Sequence, residues 1–250
     1  MKNYQLNCAE TWPELYKKAP RKKKAMRIIK TLEEFLGKRK LKELTLLDVG
    51  SSTGIIDDVL AKRFRQVTGV DIEKVAVRYS QQNFKRRNLK FKLDDAMNLS
   101  FDNNSFDVVV CTHVYEHVPD SKKLFDEIYR VLKPGGICYL AAINRLWPWE
   151  PHYNLPFLSW FAKPLANFYV KLFGKADIYF ETPRTYWGLK KLTVKFARFE
   201  YTQKILRNPK KFGYENLAKM PTRHLAWVLS PFARYLPPTF FWILKKEGDL

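Results

Sequence analysis

The stretch LTLLDVGSSTG at residues 44–54 decides the fold of this chain of 250 residues. A short apolar run ends there in Asp48 and Gly50, and IIDDVLAKRF (55–64) follows with apolar residues at helical spacing. A buried strand that passes through a glycine turn into a helix is typical of an α/β fold. Glycines at such a turn let the backbone bend sharply and approach a ligand closely.

Strand and helix patterns continue to alternate along the chain. Further strands are predicted at QVTGVDI (66–72), LKFKLDDA (89–96), FDVVVCTH (106–113) and ICYLAAI (137–143). Helices are predicted at 73–88 and at 121–133, where Pro134-Gly135-Gly136 would stop the second helix. TYWGLKKLTVKF (185–196) reads as a helix, and RFEYTQKI (198–205) and TFFWILKK (239–246) read as the sixth and seventh strands. This alternation predicts parallel strands with helices on both faces of the sheet.

Acidic residues stand at the ends of the predicted strands, where ligands of open α/β sheets collect. Asp71 ends the second strand, and an acid there can accept both ribose hydroxyls of a nucleoside. The alternative is that Asp71 only caps the helix that follows it. Asp94 and Asp95 end the third strand, where a carboxylate could accept the amine of adenine.

Four segments carry a family resemblance, namely LLDVGSSTG, VTGVDIE, DDAMNLSFDNNSFDVVVCTHVYEHVPD and IYRVLKPGG. In this order they resemble the motifs of class I methyltransferases that use S-adenosylmethionine (SAM), in particular methyltransferase type 11 and the quinone-biosynthesis methyltransferases. The resemblance covers about 44–143. It implies a Rossmann-like α/β fold with a seven-stranded, mostly parallel sheet, a reversed last strand, and helical and aromatic insertions in the C-terminal part.

The resemblance also implies the cofactor, SAM, and the residues that bind it. Asp48, Gly50 and Gly54 would surround the methionine part of SAM. Asp71 would hold the ribose, Asp95 the adenine amine, and Met97 would pack on the ring. Ser52 stands where the family usually has the second glycine of the loop, so we expect φ of Ser52 to stay negative.

Histidines follow the fourth and fifth predicted strands. His113, Glu116 and His117 come after the fourth, and His152 comes after the fifth. One hypothesis makes His117 or His152 a general base for an acceptor hydroxyl. A second places a divalent metal on Glu116, His117 and His152, with or without His113. It resembles the Glu-x-x-Glu-His pattern, with a later His, of small-RNA 2′-O-methyltransferases and some quinone O-methyltransferases, but His113 stands here in place of the first Glu. A third is local hydrogen bonding alone.

The three cysteines, Cys8, Cys111 and Cys138, lie far apart, which favours a reducing compartment over a disulfide framework or a zinc site. A nucleophilic cysteine at the region of Cys111 would serve cytosine methylation, but a buried core cysteine is the favoured interpretation. The N-terminus lacks the apolar segment of a secretory signal, and no apolar run is long enough to span a membrane. We therefore expect a cytoplasmic protein.

Positive charge is concentrated at both ends of the chain. Residues 1–45 hold 13 Lys and Arg against 5 Asp and Glu, residues 46–144 hold 14 against 13, and residues 145–250 hold 18 against 7. We divide the chain into a basic helical segment (1–43), a SAM-binding core (44–145) and a C-terminal part (146–250) that completes the sheet and carries lid or acceptor-side insertions. The basic flanks suit an anionic partner such as a membrane surface or nucleic acid, or they only make the surface soluble.

The C-terminal part contains 24 of the 38 aromatic residues, and two of its segments, 146–174 and roughly 207–238, lie outside the predicted strands and helices. Such segments could lie in a membrane interface, form an apolar acceptor pocket, or pack over the sheet edge. The leading hypothesis is a SAM-dependent methyltransferase with a small, hydrophobic or lipid-like acceptor and peripheral membrane contact. The alternatives are an RNA methyltransferase, a dinucleotide-binding oxidoreductase and a SAM-binding protein without catalysis.

Overall fold

The fold is built on one seven-stranded sheet, seen in a computed structural model that describes residues 8–37, 40–218 and 234–248. The strand order is β3-β2-β1-β4-β5-β9-β8. The strands are β1 (Thr45–Val49), β2 (Gln66–Asp71), β3 (Leu89–Leu93), β4 (Phe106–Thr112), β5 (Leu132–Ile143), β8 (Ala197–Glu200) and β9 (Thr239–Lys245). A separate two-stranded ribbon consists of β6 (Trp149–Glu150) and β7 (Leu155–Pro156).

Strand direction follows the sequence prediction. The five strands β1 to β5 pair in parallel with one another. The last strand, β9, runs antiparallel to both β5 and β8. The predicted Rossmann-like sheet with a reversed last strand is therefore confirmed.

Helices cover both faces of the sheet, because each buries one apolar stripe. On one face, α2 (Lys18–Leu36) packs Ala25, Ile28 and Leu32 against α3 (Ile55–Leu60) in one core cluster. The other face carries α5 (Ser121–Val131) and α7 (Tyr186–Leu192). The remaining helices are α1 (Cys8–Thr11), α4 (Lys74–Asn83), α6 (Lys163–Leu172), α8 (Thr202–Arg207) and α9 (Glu215–Ala218), with 3-10 turns at Pro13–Tyr16, Lys40–Glu43 and Leu158–Trp160.

Several predicted boundaries were wrong. The helices predicted at 55–64, 73–88 and 185–196 end earlier, at Leu60, Asn83 and Leu192. Helix α5 ends at Val131, and Pro134-Gly135-Gly136 lies inside β5, where the pairing with β4 shifts register. The predicted strand 198–205 ends at Glu200, because the chain turns into α8 and buries Ile205 in the core.

The insertion after β5 forms its own small core. Ala166 and Val170 of α6 pack there with Leu155, Leu158 and Tyr179. The second aromatic segment, 207–238, includes residues 219–233, which lie outside the described residues. Within the described ranges, every helix is too short or too polar to cross a lipid bilayer.

Candidate functional site

A cleft of about 320 Å³ opens at the carboxyl ends of β1, β2, β3 and β4. This is the edge where the ends of parallel strands and the starts of their helices meet, and where ligands of open α/β sheets bind. Six residues that the sequence marked for the site line the cleft: Gly50, Ser52, Asp71, His113, His117 and His152. The other five do not line it: Asp48 lies within β1, and Gly54, Asp95, Met97 and Glu116 lie in the segments that follow β1, β3 and β4.

The glycine loop after β1 depends on two glycines with positive φ. Gly50 has φ of 77° and Gly54 has φ of 73°. A Cβ on Gly50 would clash with Val114, and a Cβ on Gly54 would lie 2.6 Å from Cβ of Ser80. Any larger residue at either position would force the loop away from the structure around it.

The expectation for Ser52 was wrong, because its φ is +52°. Two contacts hold this left-handed conformation. The N–H of Ser52 donates to Oδ2 of Asp71 at 2.7 Å, and Nη2 of Arg21 donates to Oγ of Ser52 at 3.3 Å. A non-glycine residue in this region is strained by about 1–2 kcal/mol, so the surrounding contacts must supply the compensation.

Asp71 is held by backbone donors at the end of β2. Its Oδ1 accepts the N–H of Glu73 at 2.9 Å, and its Oδ2 accepts the N–H of Ser52. Burial raises the pKa of Asp71, although these hydrogen bonds oppose the shift. A carboxylate has about four acceptor positions, so two remain for ligand hydroxyls.

The loop after β3 presents Asp94 and Ala96 to the cleft. Oδ1 of Asp95 accepts the N–H of Met97 at 2.7 Å, which fixes the turn. Asp94 accepts hydrogen bonds from the N–H and the hydroxyl of Ser100 at 3.1 Å and 2.6 Å. The loop is therefore shaped by its own acids.

Asp48 and Asp57 form a buried acidic pair behind the glycine loop, and sequence reasoning missed Asp57. Their exposed fractions are 2% and 0%, and Oδ1 of Asp48 and both oxygens of Asp57 lack hydrogen-bond partners among the described residues. Burial raises the pKa of Asp48 to about 7, and burial together with Asp48 raises the pKa of Asp57. The position of Asp57 in the first turn after a glycine loop was the available signal.

The N-terminal segment forms one wall of the cleft, which the sequence did not predict. Trp12, Leu15, Arg21 and Lys24 line it. The two oxygens of Glu73 accept the N–H groups of residues 8 and 9 at 2.8 Å. The ring of Trp12 stacks on that of His152, with centroids 5.4 Å apart.

Two histidines at the rim have glutamates behind them. Nδ1 of His152 lies 2.7 Å from Oε1 of Glu150, and Nδ1 of His117 lies 3.7 Å from Oε1 of Glu181. Burial lowers the pKa of His152, but the hydrogen bond and charge of Glu150 outweigh it, so the net shift is upward. The two rings meet edge to face, with centroids 4.9 Å apart. Glu150 and Glu181 were not predicted, because they lie outside the four segments that carry the family resemblance.

Glu116 is fully buried beside these rings. Nδ1 of His113 lies 3.6 Å from Oε1 of Glu116, and neither Glu116 oxygen has a hydrogen-bond partner among the described residues. Burial alone would raise the pKa of Glu116. The hydrogen bond and charge of His113 and the charge of His117 outweigh burial, so the net shift of the pKa is downward. Burial and the charge of Lys24 lower the pKa of His113.

Glu116, His117 and His152 each have a ligand atom within 4.8 Å of those of the other two. An unpartnered buried carboxylate and two imidazoles are a donor set that suits a divalent transition metal. The glutamates at Nδ1 of both histidines resemble the outer carboxylates that orient metal-bound imidazoles. The residues of the predicted metal alternative are therefore brought together, while His113 stands in place of an acid.

Cys111 lies in the core, as predicted. Its exposed fraction is 0%, and burial raises the pKa of its thiol well above the usual value. A thiol that stays protonated is a poor nucleophile. Cys111 is therefore a packing residue of β4.

Residues 47–140 match the family model described as a methyltransferase domain. Over 105 residues the chain is 35% identical to a ubiquinone biosynthesis O-methyltransferase of Psychrobacter arcticus, which covers 40% of this chain and 41% of that protein. It is 41% identical over 103 residues to a 2-methyl-6-phytyl-1,4-hydroquinone methyltransferase of Synechocystis, which covers 40% of this chain and 32% of the relative. The chain thus spans less than half the length of these relatives.

The fold comparison reaches beyond the matched core. A SAM-dependent methyltransferase from Methanosarcina mazei superposes with a TM-score of 0.54 and 22% identity, over 83% of this chain and 94% of the other. This likeness concerns the fold alone. The resemblance found in the sequence is confirmed: residues 47–140 match the model of a methyltransferase domain, and the chain shares its fold with a solved SAM-dependent methyltransferase.

Proposed function

We propose that this protein is a SAM-dependent methyltransferase that methylates a small, hydrophobic or lipid-like acceptor. One observation carries the proposal. The cleft at the carboxyl edge of the sheet is lined by Gly50, Ser52, Asp71 and Asp94, all within the matched methyltransferase domain. Its volume of about 320 Å³ lies in the range of small-ligand sites.

Each strand end has a role in holding the cofactor. The turn at Gly50 lets the loop approach the methionine part, with Asp48 and Gly54 supporting the loop from behind. Asp71 would accept the ribose hydroxyls with the lone pairs that Ser52 and Glu73 leave unused. Asp95, which lies between the lining residues Asp94 and Ala96, would accept the adenine amine, and Met97 would pack beside the ring. SAM supplies a methyl group on a sulfonium, which is electrophilic without further activation.

His117 and His152 would act on the acceptor side. With Nδ1 of His152 engaged by Glu150, Nε2 is the ring nitrogen that can accept a proton from an acceptor hydroxyl. His113 and Glu116 complete this wall. The resulting oxygen attacks the methyl carbon while the carbon–sulfur bond breaks, and the electron pair of that bond stays on sulfur.

A divalent metal on Glu116, His117 and His152 is the second arrangement that the geometry supports. The fully buried Glu116, whose oxygens lack hydrogen-bond partners within the described chain, favours it. A metal would polarise the acceptor oxygen and so replace the base. The glutamates behind the histidines would then orient the ligands.

Peripheral contact with an anionic membrane surface belongs to the same proposal. Helix α6 buries Ala166 and Val170 on one side, whereas Leu165, Phe168 and Leu172 are 51%, 63% and 66% exposed. These three follow the spacing of a second helical face. This exposed apolar face, which no described residue covers, suits the headgroup boundary of a bilayer.

The neighbouring side chains fit that placement. Lys171 and Lys175 are exposed next to the apolar face. Three more large aromatics of the insertion are about half exposed: Trp149, Phe157 and Trp160. Aromatic and basic residues together favour an anionic lipid surface over a neutral one.

Calorimetry with SAM, S-adenosylhomocysteine and NAD tests the cofactor. We expect SAM and S-adenosylhomocysteine to bind and NAD not to bind. Binding of NAD would instead indicate an oxidoreductase. Asp71→Ala should weaken SAM binding about tenfold or more, because the variant loses the charge-assisted hydrogen bonds to the ribose. The exposed Asp102→Ala is the matched control and should bind as the parent does.

Transfer of tritium from labelled SAM tests the acceptor. We expect label in a lipid extract and none in total RNA. Label in RNA would favour the nucleic-acid alternative, which the basic flanks suggest. SAM binding without transfer to either pool would indicate a SAM-binding protein that lacks catalysis.

A further inference from the structure

A second cavity of about 680 Å³ lies on the α2 face of the sheet. Its floor is formed by Tyr139 and Ala141 of β5 and Phe241 of β9, and one wall by Ile205 and Leu206 of α8. Most of these side chains are apolar and belong to the larger core cluster or border it. A cavity of this size and composition suits the apolar body of a ligand.

The second cavity meets the cofactor cleft at two residues. Lys24 and His113 line both spaces. A molecule in the second cavity therefore has one end at these two side chains, on the border of the cleft. This arrangement matches what a group transfer needs, because the donor and the acceptor must approach from separate sides.

Lys24 is placed there by the periodicity of α2. Ala25 and Ile28 continue the buried stripe of the helix, and Lys24 lies one turn before Ile28. The Lys24 ammonium therefore stands at the end of the apolar stripe, about one helical turn from the core residue Ile28.

The Lys24 ammonium is a cation at this border without a hydrogen bond or ion pair among the described residues, although the charges of Asp48 and Glu116 act on it. Arg21 donates to the carbonyl of Leu15 and to Ser52. Arg27, which also lines the second cavity, donates to the carbonyl of Gly213 at 3.2 Å and lies over the ring of Tyr214. By contrast, Lys24 makes no hydrogen bond or ion pair with the residues that the structure describes.

We propose that the Lys24 ammonium binds the ionised oxygen of an amphipathic acceptor whose apolar body fills the second cavity. This inference rests on the proposed function for the identity of the ligand as an acceptor, but the binding itself needs no cofactor. Burial and the charge of Arg21 lower the pKa of Lys24 to about 8, so the ammonium is still protonated at pH 7. A half-buried ammonium that makes no hydrogen bond or ion pair within the described chain binds an anion strongly, because the anion replaces lost hydration.

An alkyl-substituted 4-nitrophenol is a suitable probe, since its ionised form absorbs visible light. Its methyl ether, the corresponding nitroanisole, has the same apolar body and no ionisable oxygen. We expect the parent protein to bind both probes and to bind the nitrophenol in its ionised form. In Lys24→Met the dissociation constant of the nitrophenol should rise about tenfold, and that of the nitroanisole should stay the same.

Three further variants make the result specific. Lys24→Arg should restore most of the nitrophenol binding, because it restores the charge. Lys23→Met, which removes an exposed lysine of the same helix, should bind both probes as the parent does. Leu206→Trp should weaken both probes by narrowing the second cavity, and it provides the test if Lys24→Met does not fold.

Equal loss or equal retention of both probes in Lys24→Met would overturn the proposal, as would a parent protein that binds neither. Because these titrations contain no SAM, they are independent of methyl transfer. If Lys24 discriminates between the probes and no labelled methyl group is ever transferred, the proposed function fails and the binding site stands.

Discussion

The N–H of Ser52 donates a hydrogen bond to Oδ2 of Asp71 at 2.7 Å, which ties the loop after β1 to the end of β2. The bond requires Ser52 to point its N–H toward the neighbouring strand, and its φ of +52° achieves this. The strain at one residue thus orients the acid of the candidate ribose site before any ligand arrives. Arg21 adds a contact from α2 to the same residue.

Substitutions at Ser52 should reveal this strain. A β-branched residue tolerates positive φ poorly, so Ser52→Val should lower the free energy of unfolding by about 1–3 kcal/mol. Ser52→Gly should be neutral or stabilising by up to about 1 kcal/mol, because glycine adopts this φ without a Cβ clash. Urea unfolding measures both, and a Ser52→Val protein as stable as Ser52→Gly would contradict the left-handed conformation.

The buried pair of Asp48 and Asp57 predicts a stability that falls as the pH rises. Burial raises the pKa of Asp48 to about 7 in the folded protein, with Lys24 and Arg21 opposing the shift and Asp71 adding to it. An aspartate in the unfolded chain titrates near pH 4, so between about pH 4 and about pH 7 the folded state holds more protons. The free energy of unfolding should therefore decrease across this window.

Asp48→Asn tests that dependence, because asparagine keeps the shape of the protonated acid. As the pH rises from about 4 to about 7, the free energy of unfolding of the variant should increase relative to that of the parent. Above about pH 7 this difference should stay constant. Unfolding in urea at a series of pH values measures the difference. Asp102→Asn, at an exposed site, should run parallel to the parent. Parallel curves for Asp48→Asn as well would rule out a buried proton.

The strand ends of the site could be predicted from sequence because local signals define them. Apolar runs that end in glycine or aspartate gave β1, β2 and β3, and with them Gly50 and Asp71. The contribution of Trp12 and Lys24 could not be predicted, because it depends on where α2 docks on the sheet. That docking brings Trp12 and Lys24 against the loop after β4.

Other features were hidden for different physical reasons. The conformation of Ser52 depends on an acceptor 19 residues away, which no local pattern reveals. Glu181 lies behind His117 only because the insertion folds back on the loop after β4, where the N–H of Thr182 donates to the carbonyl of Glu116. Such partners become visible only with tertiary contacts.

Variants of His117 and His152, together with a chelator, distinguish catalysis by a general base from catalysis by a metal. If a histidine is the base, His152→Ala or His117→Ala should reduce turnover by about 10²–10⁴-fold and leave SAM affinity unchanged. If a metal is used, a chelator should abolish turnover in the parent, Glu116→Gln should weaken metal binding, and added metal should restore the chelated protein. Isotope transfer into the lipid extract and calorimetry give the two readouts. Unchanged turnover in both alanine variants, with no effect of a chelator, would leave these side chains a hydrogen-bonding role alone.

The exposed face of α6 predicts membrane binding that depends on salt. The parent protein should sediment with vesicles of phosphatidylcholine and phosphatidylglycerol at low ionic strength and leave them at high salt, since screening weakens the attraction of Lys171 and Lys175. Replacing Leu165, Phe168 and Leu172 together by serine should lower the partition coefficient by more than about tenfold, because three apolar side chains no longer enter the bilayer.

Val194→Ser is the control: it removes an apolar residue that is 77% exposed on another part of the surface, and it should sediment as the parent does. A parent protein that stays in solution with these vesicles at low salt would exclude this role for α6. If ultracentrifugation without lipid showed a dimer that the triple variant loses, the face would instead be an interface between two copies of the chain.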